Sequence, residues 1–176
     1  MNVAELFVKE HALFRVLLDK LELDLAQRED RARVDVSDAL RVLLPSLDQH
    51  AEIEEIVFRY PPDGVDDEPK ALTEVAAQHR ELAALRNEIL LALERSSEGY
   101  PFAKLRTLTQ SLMNDLRVHL ETEETRLWPL YQRALMRSLD AVVPIHLEKR
   151  AQALEQELGR GIAAISHTAS VDSKKS

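Results

Sequence analysis

Two stretches of this 176-residue chain repeat a pattern of side chains able to hold a metal ion. His50-Ala51-Glu52-Ile53-Glu54-Glu55 and His119-Leu120-Glu121-Thr122-Glu123-Glu124 both read H-x-E-x-E-E, and large apolar residues follow each of them. Positions i and i+4 of a helix lie one above the other. His50 with Glu54, and His119 with Glu123, can therefore each offer a nitrogen and a carboxylate to one point. Two further histidines extend the pattern into an internal repeat. His11 lies 39 residues before His50 and His79 lies 40 before His119, while His50 to His119 and Glu54 to Glu123 are both steps of 69. Each half supplies a lone His followed by a His-x-x-x-Glu.

Helices must bring these groups together, and the composition favours helix. Ala, Leu, Glu and Arg abound, aromatics are 5%, and the four glycines all read as lying near segment ends. Asn2-Val3-Ala4-Glu5 has a capping-box pattern, followed by the stripe Val3, Phe7, His11, Phe14, Leu18, Leu21, Leu25. The polar run from Gln27 to Arg33 reads as a break, with Asp35 or Ser37 capping a second helix that carries Leu40, Leu43, Leu47, His50, Glu54, Val57 and Phe58. Pro45 predicts a kink or broken turn ahead of His50. A loop is expected from Tyr60 to about Pro69.

The third helix should run from Pro69 to Ser96 with Leu72, Val75, His79, Leu82, Ile89 and Leu93 on one face. Gly99 reads as its cap, and Pro101 opens the next segment across a connection short enough to force an antiparallel neighbour. The fourth helix aligns Leu105, Leu108, Leu112, Leu116, His119, Glu123 and Leu127, with Pro129 kinking or ending it. A fifth segment is expected from about Ser138 to Gly159, with Pro144 near its start, and a polar tail follows from His167. The expected fold is all-α: an antiparallel up-down-up-down four-helix bundle over residues 1–136, an additional C-terminal helix over 137–163, and a disordered tail over 164–176.

Each of the four stripes carries a histidine into the core and two carry a glutamate, an arrangement that is costly without a strong partner. With no cysteine in the chain, disulfides, zinc fingers, thiolate nucleophiles and iron-sulfur clusters are excluded. A metal must be held by His and carboxylate. Four His and two Glu suit a dinuclear centre with two His on each ion and both carboxylates shared, leaving room for an exogenous ligand. Taken singly, His11 or His79 on an apolar stripe reads as a hydrogen-bonded core residue, and His50 with Glu54 as a surface pair. Four stripes bearing such residues at matched repeat positions favour the metal site.

In this pattern the chain resembles the hemerythrin-like family, whose members carry the HHE cation-binding domain. The resemblance spans about residues 1–131, and the Leu127-Trp128-Pro129 run belongs to it. It implies two iron ions, with His11 and His50 holding one, His79 and His119 the other, and Glu54, Glu123 and an oxo or hydroxo group bridging. Oxygen carriers of the family place another His four residues after the third-helix His, where this chain has Ala83, so the resemblance implies a more open, more reactive centre. Ferritin-like bundles use Glu-x-x-His motifs, and this chain has none.

The function expected is binding of, or reaction with, a small diatomic or peroxide ligand such as dioxygen, nitric oxide or peroxide. The alternatives are an iron-sensing or iron-handling module and a metal-free interaction bundle. Net charge is −8 with no basic block, so nucleic acid is not an expected partner. Nor is a membrane, since no apolar run approaches the roughly 20 residues of a span and Glu5, Lys9 and Glu10 stand where a signal peptide would be apolar. A cytoplasmic location follows, and a homo-oligomer is allowed. Glu52, Glu55, Glu121 and Glu124 read as solvated faces, with Glu55 or Glu124 as candidate acceptors behind the metal ligands. His146 and His167 read as exposed. Phe14, Phe58 and Trp128 read as core, and Tyr131 as facing the site or capping the bundle.

Overall fold

The computed structural model describes residues 3–58, 69–95, 99–129 and 145–172. They are helical with no strand among them: α1 (Val3–Leu25), α2 (Glu29–Phe58), α3 (Pro69–Glu94), α4 (Phe102–Thr122) continued by a π-helical turn (Glu123–Leu127), and α5 (Ile145–Asp172). Contacts join α1 to α2, α2 to α3, α3 to α4 and α4 to α1, closing a ring of four helices, while α5 packs against α1 and α2. Among the described residues no helix is long and apolar enough to cross a membrane.

The stripes read from the sequence form two apolar clusters. One contains Phe14, Leu18, Leu40, Leu43, Leu82, Ile89, Leu112 and Leu116, and the other contains Phe7, Ile53, Val75, Leu127 and Trp128. Along each of α1 to α4 the change from one cluster to the other falls at or beside the His and Glu positions, so the polar groups form a layer between two apolar floors. Leu154 of α5 joins the smaller cluster and Leu158 the larger, which makes α5 a strut across that layer.

Several boundaries depart from the sequence reading for local reasons. α2 begins at Glu29 instead of at Asp35 or Ser37, because Glu29 and Asp30 place negative charge in its first turn and the Arg28 carbonyl accepts from the amides of Arg31 and Ala32. Asp35 and Ser37 are interior, bonded one turn back to Arg31 and to the Arg33 carbonyl. Pro45 breaks no turn, and α2 is continuous through it. Pro45 is exposed, so the Arg41 carbonyl that loses its partner can turn to water.

Gly99 does cap, with φ +85°, while the Tyr100 amide donates to the Arg95 carbonyl at 3.3 Å. Gly159 and Gly161 mark no end. α5 runs through both to Asp172, and Gly161 is a contact position: any Cβ there would meet a Val42 methyl at 2.6 Å. Helix therefore continues into the stretch read as a tail. The loop expected from Tyr60, as far as residue 68, lies outside the described residues, as do Asn2, Tyr131, Pro144 and residues 173–176. So do the side chains of His146 and His167.

Candidate metal centre

Helical periodicity turns His11 of α1, His50 and Glu54 of α2, His79 of α3, His119 of α4 and Glu123 of the π turn inward, each buried to 9% exposure or less. The structure brings all six sequence-derived candidates together. Their ligand atoms fall into two groups, His11/His50/Glu54/Glu123 and Glu54/His79/His119/Glu123, the atoms of each lying within 4.8 Å of one another.

The two glutamates belong to both groups, and their oxygens divide between them. Glu54 Oε1 lies 3.2 Å from His50 Nε2 and 4.0 Å from His11 Nε2, while Oε2 lies 3.4 Å from His79 Nε2. Glu123 is the mirror case, with Oε2 3.3 Å from His11 Nε2 and Oε1 3.6 and 4.0 Å from His119 and His79 Nε2. Donors bound at about 2.1 Å to a first-row ion stand roughly 3 Å apart when adjacent, comparable to the 3.2 Å between the Nε2 atoms of His11 and His50. All four oxygens of Glu54 and Glu123, with His79 Nε2, are buried without a hydrogen-bond partner. Orphaned donor atoms converging in this way fit a cation pair.

The opposite ring nitrogens are held from behind. His50 Nδ1 lies 2.7 Å from Glu10 Oε2, His11 Nδ1 lies 2.9 Å from Glu124 Oε1, and His119 Nδ1 lies 3.2 Å from Gln78 Oε1. Arg15 grips both oxygens of Glu124 at 2.7 and 2.8 Å. The Gln78 amide is oriented through its nitrogen, which donates to Thr122 Oγ1 at 3.2 Å, and that hydroxyl donates in turn to the Val118 carbonyl at 2.8 Å. An amide oxygen only accepts, so His119 carries its proton on Nδ1 and directs the Nε2 lone pair inward. Phe7 and Phe14 meet the His50 ring edge-on, at centroid distances of 5.3 and 5.1 Å.

Burial works against charge on His11, His50 and His79, but their carboxylate neighbours outweigh it and all three are raised: Glu123 and Glu124 act on His11, Glu54 and Glu10 on His50, Glu54 on His79. Burial dominates at His119, pushed down to about 3. Burial and then the Glu54 charge lift Glu123 to about 7, whereas at Glu54 the charge of His50 overcomes burial and holds the acid well below its usual range. Opposed shifts of this size within one dry cluster are characteristic of functional sites.

Sequence reasoning passed over Glu10 as a charged N-terminal residue and did not consider Gln78. A signal existed for both. Glu10 sits three residues after Phe7 and four before Phe14, on the buried stripe, and the step of 68 from His11 to His79 also carries Glu10 to Gln78. Glu124 proves to be an acceptor behind His11, while Glu55 and Glu121 are exposed and Glu52 pairs with Arg150 at 2.7 Å on the surface. The π turn is what lets adjacent glutamates serve one ring. Its five-residue loop, with the Trp128 amide on the Glu123 carbonyl, accompanies Glu123 at His11 Nε2 and Glu124 at His11 Nδ1.

A cavity of about 50 Å³ adjoins His50, His79 and His119 and is walled by Leu47, Leu82 and Ala83, with an Arg86–Asp48 ion pair among its lining residues. It is large enough for a diatomic molecule or a few waters. Phe58 and Trp128 meet as tilted rings near the other side of the layer, 5.6 Å apart, with Phe7 4.6 Å from Trp128.

A family model described as the Hemerythrin HHE cation binding domain matches residues 2–131 and again residues 70–168. The second match restarts close to the offset of the internal repeat. Comparison with curated proteins and with solved structures finds no match.

Proposed function

Since the chain belongs to the hemerythrin HHE cation-binding family, we propose that it is a non-haem di-iron protein that binds or reacts with a small oxidant, dioxygen, peroxide or nitric oxide, inside an up-down-up-down four-helix bundle. The observation that carries this reading is the division of the Glu54 and Glu123 oxygens between two histidine pairs. A carboxylate so placed could serve two cations at once. His11 and His50 would hold one iron and His79 and His119 the other, and the chemistry such a pair would supply is electron transfer from the ferrous ions to an oxidant.

The chain's own part is to fix geometry and exclude water. Glu10, Glu124 and Gln78 accept from Nδ1 and so turn Nε2 toward the centre, and His11 and His50, whose pKa values are raised, would each release an Nε2 proton on taking up a cation. The two glutamates place carboxylates in a buried layer between apolar floors, which favours cations over neutral guests. Ala83 leaves space beside His79 and His119, and Leu47 and Leu82 make that space apolar, suited to a small weakly hydrated ligand. The short break Ala26–Arg28 between α1 and α2 and the ring of contacts among the four helices support the alternating arrangement.

Anaerobic loading with ferrous iron followed by air should produce near-ultraviolet charge-transfer absorption, with two irons per chain. A colourless protein whose iron stays ferrous would refute the oxidant chemistry. An iron-sensing role draws on a separate observation, the strut formed by Leu154 and Leu158 of α5 across the polar layer. Sensing predicts large metal-dependent protease protection of α5 with little redox turnover.

A further inference from the structure

The internal repeat is not symmetrical in charge. Glu10 and Gln78 occupy equivalent positions, each directly before the lone histidine of its half and each accepting from the Nδ1 of the other histidine of that half. One is an acid and the other its neutral amide. Glu10 is fully buried, one oxygen on His50 and the other without a hydrogen-bond partner, so its charge can be answered chiefly through the imidazole it holds. His11 of the same half is backed by a second carboxylate, Glu124, although Arg15 shares that charge. His119 is backed by an amide whose orientation Thr122 fixes.

A carboxylate behind a ligating imidazole raises the basicity of the ligand nitrogen and adds negative charge on the far side of the ring, while an amide only orients the ring. We propose that Glu10 and Gln78 are positioning residues that make the two cation positions unequal. The His11/His50 position fills first and holds its ion more tightly, and the His79/His119 position, beside the cavity, fills second and releases its ion more readily. This rests on the dinuclear reading above. It adds an order of assembly and places the more labile ion at the position whose two histidines both adjoin the cavity, where an incoming ligand meets it.

The test is anaerobic calorimetric titration of metal-free full-length protein with Co²⁺, with the visible Co²⁺ spectrum recorded at each step. The wild type should show two resolved steps of one ion each. Glu10→Gln, an isosteric change, should weaken the tighter step by about ten- to a hundred-fold and leave the weaker one nearly unmoved. Gln78→Glu should strengthen the weaker step, and the double exchange should restore two steps with their spectra in reversed order. Glu124→Gln provides a second route to the same end, weakening the tighter step from the His11 side. Two-to-one binding in a single unresolved step, unaltered by these exchanges, would overturn this inference and leave the dinuclear reading standing. Failure of the wild type to bind two ions would overturn both.

Discussion

Glu123 shows at a single residue what a metal-binding layer does to the fold that contains it. Buried beside Glu54, its carboxyl rises from the ordinary 4.5 to about 7. Above pH 7 it is ionised in both the folded and unfolded chain, and the metal-free fold bears the whole cost of that buried charge, on the order of 3 kcal/mol. Between pH 7 and 4.5 the folded chain takes up the proton while the unfolded one does not, so the cost shrinks as pH falls. Below 4.5 it is gone. Metal-free Glu123→Gln should therefore be more stable than the wild type at pH 8 and close to it near pH 4 in urea melts. A stability difference that does not change with pH would contradict the assignment. The shared carboxylates also separate the effects of ligand deletions. Glu54→Ala should deplete both ions and His11→Ala mainly one, as elemental analysis of each variant will show; equal iron in Glu54→Ala and wild type would count against bridging. At this scale the six convergent residues were legible because i, i+4 spacing and a repeat mark them. Glu10 carried a signal too, its place between Phe7 and Phe14 on the buried stripe, but a charged residue near the N-terminus reads as solvated until the opposite helix is in place.

Helices place these groups, and their boundaries obey rules that sequence patterns show only in part. The apolar stripes of α1 to α4 were readable from periodicity. The start of α2 was misplaced because Gln27 to Arg33 is polar, although Glu29 and Asp30 are good first-turn residues. The π turn left no sequence mark that was read, and it sets the placement of Glu123 and Glu124 together. Gly161 was taken as near a helix end when it is a contact residue. Its missing side chain lets α5 approach Val42 of α2. Gly161→Ala gains helix propensity, about 1 kcal/mol, but drives a Cβ into a stiff β-branched side chain. It should destabilise the wild type by about 1 kcal/mol or more and stabilise a Val42→Ala background. Thermal melts of the four proteins of that cycle test the contact, and the same sign in both backgrounds would remove it.

Over the whole molecule, two apolar clusters with a polar layer between them make a bundle whose stability is tied to its guest. On the proposed reading the folded chain would bind cations at preformed donors that the unfolded chain lacks, so occupancy would stabilise the fold by mass action, about 2.7 kcal/mol per site at a free concentration a hundred times Kd. Chelation should accordingly lower the melting temperature, followed by the fluorescence of Trp128, which packs against Phe7 beside His50. A melting temperature indifferent to chelation would mean that the layer holds no ion. The helical class and the convergence of halves were legible in the sequence because the repeat is long and regular. The strut made by α5 was not, because Leu154 and Leu158 are a thin stripe that declares no partner. The most direct test of the central claim is the metal-to-chain ratio of protein purified from iron-supplemented cells, by elemental analysis. Two irons per chain is the predicted result, and a chain carrying none, or never more than one, would contradict it.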